Sequence, residues 1–312
     1  MSALIWAVHA GEWIRVINER YLKRIQVKPG MMVRLGEYFT GWAQNDALKE
    51  AGKEAVKERA MEILEENRAR LASAQELLWA SNIYSVLIIL QGMDTAGKDG
   101  TIKHVMSGVN PQGCKVHSFR VPTEEELDHT FLWRYWRALP NRGEIGIFNR
   151  SYYEDVLVVK VHPERLVNLP PGKRGKKFWN ARYEDINAFE QHLIRNGTVI
   201  LKFFLHISKD EQKKRLLDRL EDAEKLWKFS LSDLEERKFW DSYQGAYEDA
   251  LTMTSTEEAP WYIIPADHKW AARTLIADII TTRIQSLDLA YPEVSGEAIA
   301  QLKDARRRLE EE

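Results

Sequence analysis

Val86-Leu87-Ile88-Ile89-Leu90-Gln91-Gly92-Met93-Asp94-Thr95-Ala96-Gly97-Lys98-Asp99-Gly100 is the stretch that decides the fold of this 312-residue chain. Five consecutive aliphatic residues read as a strand buried on both faces, and the residues from Thr101 continue as a helix. Strand, glycine loop and helix in that order, with four residues between Gly92 and Gly97-Lys98, spell a P-loop rather than a plain glycine-rich turn. Its backbone N–H groups close around an anion at a helix N-terminus, and the Lys98 ammonium reaches the transferring phosphate. Two positions depart from the usual pattern. Asp99 stands where Ser or Thr ordinarily offers a hydroxyl to Mg²⁺, and Asp94 puts a carboxylate inside an anion cradle. Such a carboxylate is costly unless a metal or a base role compensates it, so Asp94 is assigned to the chemistry, with an N-cap or turn residue as the alternative.

Composition narrows the function classes. Lys+Arg 45 against Asp+Glu 47 gives a net charge of -2, which argues against a nucleic-acid binder and confines any polyanion site to a local patch. A single cysteine, Cys114, excludes internal disulfides and cysteine-based zinc sites and fits a reducing cytoplasm; Cys114 itself reads as a plain strand residue. No run approaches the roughly 20 apolar residues of a membrane span, and the apolar start at residues 2–8 lacks the form of a signal peptide. A cytoplasmic protein with no membrane or nucleic-acid partner is expected.

Working outward from the loop, residues 1–41 read as an arm with a turn at Val27-Lys28-Pro29-Gly30, and 46–80 as one or two long amphipathic helices. Strands are expected at 85–91, 115–120, 144–149, 198–207 and 261–265. Helices are expected at 98–107, 123–138, 152–159, 178–195, 209–222, 231–253 and 268–286. Alternation of this kind predicts an α/β fold, a parallel doubly wound five-stranded sheet with its ligand beyond the C-terminal strand ends. The organisation expected is an arm and long helix over 1–79, a core over 80–290 with a lid at about 209–250, and a charged tail over 291–312.

The strand at 144–149 ends in Asn149-Arg150-Ser151-Tyr152-Tyr153-Glu154-Asp155. A P-loop protein ordinarily delivers a metal-binding Asp from that strand end, but Asn149 is a weak ligand for a hard cation, so the metal load shifts toward Asp94, Asp99 or Glu154. Arg150 suits a planar fork on phosphate oxygens. Glu154 and Asp155 face the acceptor or pair with Arg150, and Asp155 alone reads as structural. The charged helices after residue 208, around Trp227-Lys228-Phe229, have the character of a mobile lid that excludes water. Arg219, Lys228 and Arg237 are its candidate phosphate contacts, against the alternative of a solvated face. Phe131, Trp133 and Trp136 read as core residues, with base stacking left open by Arg134 and Arg137. The basic loop 172–177 reads as solvated, with guidance of an anionic chain into the site as the alternative.

Taken together, residues 90–103, Phe148-Asn149-Arg150-Ser151-Tyr152-Tyr153-Glu154-Asp155 and its continuation to 158, His206-Ile207-Ser208, Trp227-Lys228-Phe229, Tyr247-Glu248-Asp249-Ala250-Leu251 and the segment 259–267 resemble the family-2 polyphosphate kinases. The resemblance spans roughly residues 26–291. It implies a P-loop kinase-like three-layer fold with a helical lid, and reversible phosphoryl transfer between inorganic polyphosphate and nucleotides with Mg²⁺, Mn²⁺ being the alternative ion. Carried over residue by residue, Asp94, Lys98, Arg150 and Glu154 would be catalytic, with Asp94 also holding the metal. Gly92, Met93, Thr95, Ala96, Gly97, Asp99, Gly100, Lys103 and Asn149, with Arg219, Lys228 and Arg237 of the lid, would bind phosphate or nucleotide. Many family members carry Asp where Asn149 stands. The form with Asn resembles the subgroup that phosphorylates both AMP and ADP, in which Glu154 is tied to AMP use, with guanine nucleotides as further substrates. A homodimer or homotetramer is implied. Two rivals remain open at this stage: an ATP-dependent nucleoside monophosphate kinase, and a non-catalytic module that senses polyphosphate or nucleotides.

Overall fold

A computed structural model describes residues 19–312 apart from 44, 168 and 225, together with the short antiparallel pair 8–9 and 12–13. Five strands form the main sheet: β1 Ser85–Gly92, β2 Cys114–Ser118, β3 Ile145–Asn149, β4 Thr198–His206 and β5 Trp261–Pro265. Their order is β2-β3-β1-β4-β5, and every pairing is parallel. The expected strands all form, with ends shifted by one or two residues. Every residue of β1 is buried, as its unbroken apolar run requires of a strand covered on both faces. Cys114 opens β2, and burial pushes its thiol up to about 11.

Helices of eight residues or more are α1 Lys53–Ser81, α2 Lys98–Val105, α3 Lys176–Arg195, α4 Lys209–Glu221, α5 Leu231–Lys238, α6 Trp240–Thr254, α7 Lys269–Gln285 and α8 Gly296–Glu310. One face of the sheet carries α7, which packs on α1 and α2, and the other carries α3 and α6. Between α1 and α7, buried Asn67 donates to Asp278 (3.2 Å) and Thr274 Oγ1 to the Ala60 carbonyl (2.8 Å), so these buried groups are paired. The charged tail forms the exposed α8. No described helix is long and apolar enough to cross a membrane.

Three expected helices are divided. Residues 123–138 hold two four-residue helices, Glu124–Leu127 and Trp133–Trp136. The first is closed by a capping box between Thr123 and Glu126, and the poor helix formers Asp128, His129 and Thr130 separate it from the second. Residues 152–159 become a 3-10 turn, Tyr152–Asp155, and a short helix, Val158–Val161, because burying both tyrosine rings and a run of β-branched valines disfavours a continuous α-helix. The 231–253 helix breaks at Phe239, whose ring packs edge-on against His162. Of the three aromatics expected in the core, Phe131 and Trp133 are half-buried, and Trp136 is half exposed against Phe189 and His192.

The arm has a clear physical task along its described part. β5 is an edge strand, and Val27 N–H donates to the Trp261 carbonyl (2.8 Å) while Ser255 Oγ donates to the Val27 carbonyl (2.6 Å). Covering that edge satisfies ladder groups that would otherwise template association with another strand.

Candidate active site

β1 lies between β3 and β4 at the switch point of the sheet, so the loop after it opens into the crevice where this class of fold binds ligands. Gly92 sits at φ +157°, and a Cβ there would come within 2.9 Å of the Leu205 carbonyl oxygen on β4. Gly97 caps α2 at φ +103°, a conformation that L side chains avoid. Thr95 also takes a positive φ, +65°, which a β-branched residue seldom adopts. Lys98 Nζ donates to the Gly92 carbonyl (2.6 Å) and approaches that of Met93 (3.4 Å), folding the ammonium back across the loop mouth. Burial, and next the Arg150 charge, lower the Lys98 pKa, and a phosphate beside the ammonium would oppose that shift.

Arg215 of α4, which sequence reasoning passed over, holds the loop from behind. Buried at 5% exposure, it donates to the carbonyls of Thr95 (2.9 Å) and Ala96 (3.0 Å) with one nitrogen, and to those of Ala266 (2.5 Å) and Asp267 (3.1 Å) with the other. These contacts fix the planes of the Thr95–Ala96 and Ala96–Gly97 peptides, and the Ala96 N–H closes the loop on the Met93 carbonyl (3.1 Å). Gln212, one turn earlier, donates to the Asp94 carbonyl (3.1 Å). The signal was present in the run 209–219, but helical spacing alone did not say which of its cations turned inward.

At the end of β3 the geometry rests on side chains. Arg150 has φ +63°, its N–H donates to the Leu90 carbonyl (3.1 Å), and its guanidinium donates to Asp94 Oδ1 (3.0 Å). Its partner is therefore Asp94, not Glu154 or Asp155. Asn149 Nδ2 donates to Asp99 Oδ1 (2.6 Å), so the two unusual residues of the sequence meet each other. Glu154 lies beneath them. With the Gln91 amide oriented so that both its atoms find partners, its nitrogen donates to Glu154 Oε1 (2.9 Å). Burial raises the Glu154 pKa, against the opposing pull of Arg150 and Lys98. Asp155 turns away to Arg182 (3.6 Å) and Tyr135 (3.3 Å), and burial pushes its carboxyl up to about 6. Its position is that of a structural residue, as the sequence suggested.

The turn is anchored by a buried polar network. Tyr152 and Tyr153 both donate to Glu190 Oε1 of α3 (2.8 and 2.7 Å), and Lys202 of β4 donates to Glu190 Oε2 and to the Thr254 carbonyl (2.6 Å each). Lys202 and Glu190 are at most 1% exposed, and the ion pair between them is joined by hydrogen bonds that satisfy the remaining sites.

The cavity in front of the loop measures about 730 Å³ and is lined by Asp94–Gly100 residues, the end of β2, Asn149 and Arg150, and the cations Arg120, Arg215, Arg219, Lys269 and Arg273. Asp218 and Asp233 complete it, the latter paired with Arg219 (3.2 Å). Thr95, Ala96, Gly97, Lys98, Asp99, Gly100, Asn149, Arg150 and Arg219 thus share one chamber with Asp94. Gly92, Met93 and Glu154 shape it from behind without lining it. Two candidates fall elsewhere. Lys103 is exposed on α2 and outside the lining, because its place in the helical turn points it away from the loop. Arg237 ties α5 to α4 instead, donating to the Lys209 carbonyl (2.9 Å) and to Gln212 Oε1 (2.6 Å), which leaves its guanidinium committed between those helices. Lys228 belongs to the short helix Leu226–Lys228, and its side chain lies outside the described residues. Arg120, Lys269 and Arg273 had no sequence signal beyond their charge.

Comparison with known proteins places this geometry. Residues 54–292 match the family described as Polyphosphate kinase 2. The chain is 50% identical over 290 residues to the ADP-polyphosphate phosphotransferase of Rhodopseudomonas palustris, covering 92% of this chain and 98% of that one. It is 50% identical over 240 residues to the AMP/ADP-polyphosphate phosphotransferase of Meiothermus ruber, covering 77% and 86%. Among solved structures, polyphosphate kinase 2 from Arthrobacter aurescens superposes with a TM-score of 0.76 at 38% identity, over 90% of this chain and all of that one. The phosphate loop, the parallel sheet and these matches agree, and the chain belongs to the polyphosphate kinase 2 family, whose members are phosphotransferases.

Proposed function

We propose that this chain transfers the terminal phosphoryl group of inorganic polyphosphate to AMP and to ADP, reversibly, forming ADP and ATP. The observation that carries this reading is the cation-lined cavity. Beyond Lys98 and Arg150 its lining carries Arg120, Arg219, Lys269 and Arg273, and together these cations outnumber Asp94, Asp99, Asp218 and Asp233 and make a suitable lining for a polyanionic chain. The names of the relatives from Rhodopseudomonas palustris and Meiothermus ruber support a polyphosphate donor and nucleotide acceptors. Neither an ATP-dependent monophosphate kinase nor a sensing module is favoured by the family membership.

Both reactants are anions, so charge neutralisation and alignment are the main catalytic tasks. The loop N–H groups and Lys98 hold the donor's terminal phosphates. Arg150 exchanges Asp94 for equatorial oxygens of the transferring group, and the freed Asp94 assists the acceptor oxygen. Glu154 sets the acceptor side for AMP. Lid closure over α4 and α5 excludes water, which would otherwise hydrolyse the donor. The donor set suits a hard divalent ion: Asp94 and Asp99 offer carboxylate oxygens at the cavity. Mg²⁺, or Mn²⁺ in its place, keeps waters and substrate oxygens in such sites and would lower the charge on the phosphates. A cytoplasmic location, use of guanine nucleotides and a homo-oligomeric state complete the proposal.

The test is incubation of the purified protein with polyphosphate, Mg²⁺ and ADP, with no other nucleotide present. Formation of ATP is the expected result. No ATP there, with conversion of ATP plus AMP to ADP, would replace this reading by an ATP-dependent kinase.

A further inference from the structure

We infer that Asp99 is a ligand of the divalent cation and that Asn149 is its neutral holder, the two having exchanged the charge that P-loop enzymes ordinarily divide between loop and strand end. In those enzymes a hydroxyl directly after the loop lysine and a carboxylate at the end of a neighbouring strand hold the ion together. The corresponding positions here are 99 and 149. Register pairs Leu90 with Asn149, so the end of β3 stands beside the start of the loop, and Asn149 Nδ2 donates to Asp99 Oδ1 at 2.6 Å. One carboxylate and one neutral group are thus retained, with the carboxylate moved onto the loop.

Of the other acids near the loop, Asp94 is held by Arg150 at 3.0 Å until phosphate takes that guanidinium, Asp233 pairs with Arg219 at 3.2 Å, Glu154 is bonded to Gln91 and does not line the cavity, and Asp218 lines it from α4 rather than from the loop. Asp99 lines the cavity, and among the described residues no cation lies within ion-pair distance of it. Its side-chain partner is a neutral amide, itself 9% exposed, which also approaches Ser118 Oγ at 3.3 Å. An amide bonded to one carboxylate oxygen fixes the plane of the group and leaves the other oxygen for a hard cation that takes few protein ligands and completes its shell with water and phosphate oxygens.

This inference rests on the phosphotransferase reading, and its test separates the two. Bound Mn²⁺ is counted by electron paramagnetic resonance on the full chain with saturating ADP, while turnover of polyphosphate with ADP is followed in parallel. The wild-type protein is expected to hold Mn²⁺, D99N to bind it at least about tenfold more weakly, and the exchanged double variant D99N/N149D to recover most of that loss. D99S/N149D, which rebuilds the usual hydroxyl and carboxylate, is expected to recover it as well and serves if D99N does not fold. Wild-type affinity in D99N, or a wild-type protein that binds no Mn²⁺, overturns the assignment of Asp99. Loss in D99N that neither folded double variant recovers overturns the exchange with Asn149. A wild-type protein that binds Mn²⁺ but makes no ATP from polyphosphate leaves the metal assignment standing and removes the proposed donor.

Discussion

The phosphate loop and the turn after β3 meet at the Arg150–Asp94 and Asn149–Asp99 contacts but are built on opposite plans. The loop is specified by backbone, through glycines at positive φ and peptide groups steered by Arg215. The turn is specified by side chains, two tyrosines held by a buried Glu190–Lys202 pair that reaches three other elements of the fold. A backbone site serves any phosphate of the right charge, which fits a repetitive donor. A side-chain site has to discriminate, which fits an acceptor of one or two phosphates.

Separate damage to the two regions should therefore look different. The largest effect is expected from Lys98→Ala, which removes the cation of the donor side: turnover with either acceptor falls at least about a thousandfold while the melting temperature stays near wild type. Retained turnover in the folded variant would detach Lys98 from the chemistry. On the acceptor side, Lys202→Met strands the buried Glu190 charge and is expected to cost about 3–5 kcal/mol in urea unfolding, whereas Lys202→Met with Glu190→Leu returns close to wild-type stability. That double variant should still lose efficiency with AMP, because the tyrosines no longer hold the turn; an unchanged kcat/KM would make the network purely structural. Arg215→Ala leaves loop carbonyls without their donor, and a loss of about 1–3 kcal/mol with a raised KM for polyphosphate is expected. A raised KM for AMP alone would place Arg215 with the wrong partner.

The smallest effect concerns Asp155. Burial raises its pKa in the folded protein from 3.8 to about 6, so its contribution to stability is fully present below pH 4 and is lost as pH rises through 6. Asp155→Asn should remove that dependence, and the stability of the variant relative to wild type should climb between pH 4 and pH 6 by at most about 3 kcal/mol. A relative stability that is flat across this window would contradict the burial argument.

The same contrast explains what could be read from the sequence. The loop was legible because a glycine pattern and an aliphatic strand impose backbone geometry locally, and all five strands of the parallel sheet followed from periodicity. Arg150 was legible as a strand-end cation, but its partner was not, since the approach of Asp94 depends on the loop path. Arg215 and Arg237 sit in similar charged helices and ended in different roles, one holding the loop and one tying α5 to α4, because a helix with cations on several faces does not declare which face packs. The Glu190–Lys202 network was invisible for a related reason: only the fold brings residues from α3, β4 and the turn together.

The division of labour between a tolerant donor side and a discriminating acceptor side is tested most directly by following nucleotides over time when the protein is given AMP, polyphosphate and Mg²⁺ without any nucleoside triphosphate. ADP is expected to appear first and ATP after it, both drawn from the same polyphosphate pool. AMP that stays unchanged until ATP is added would contradict the account.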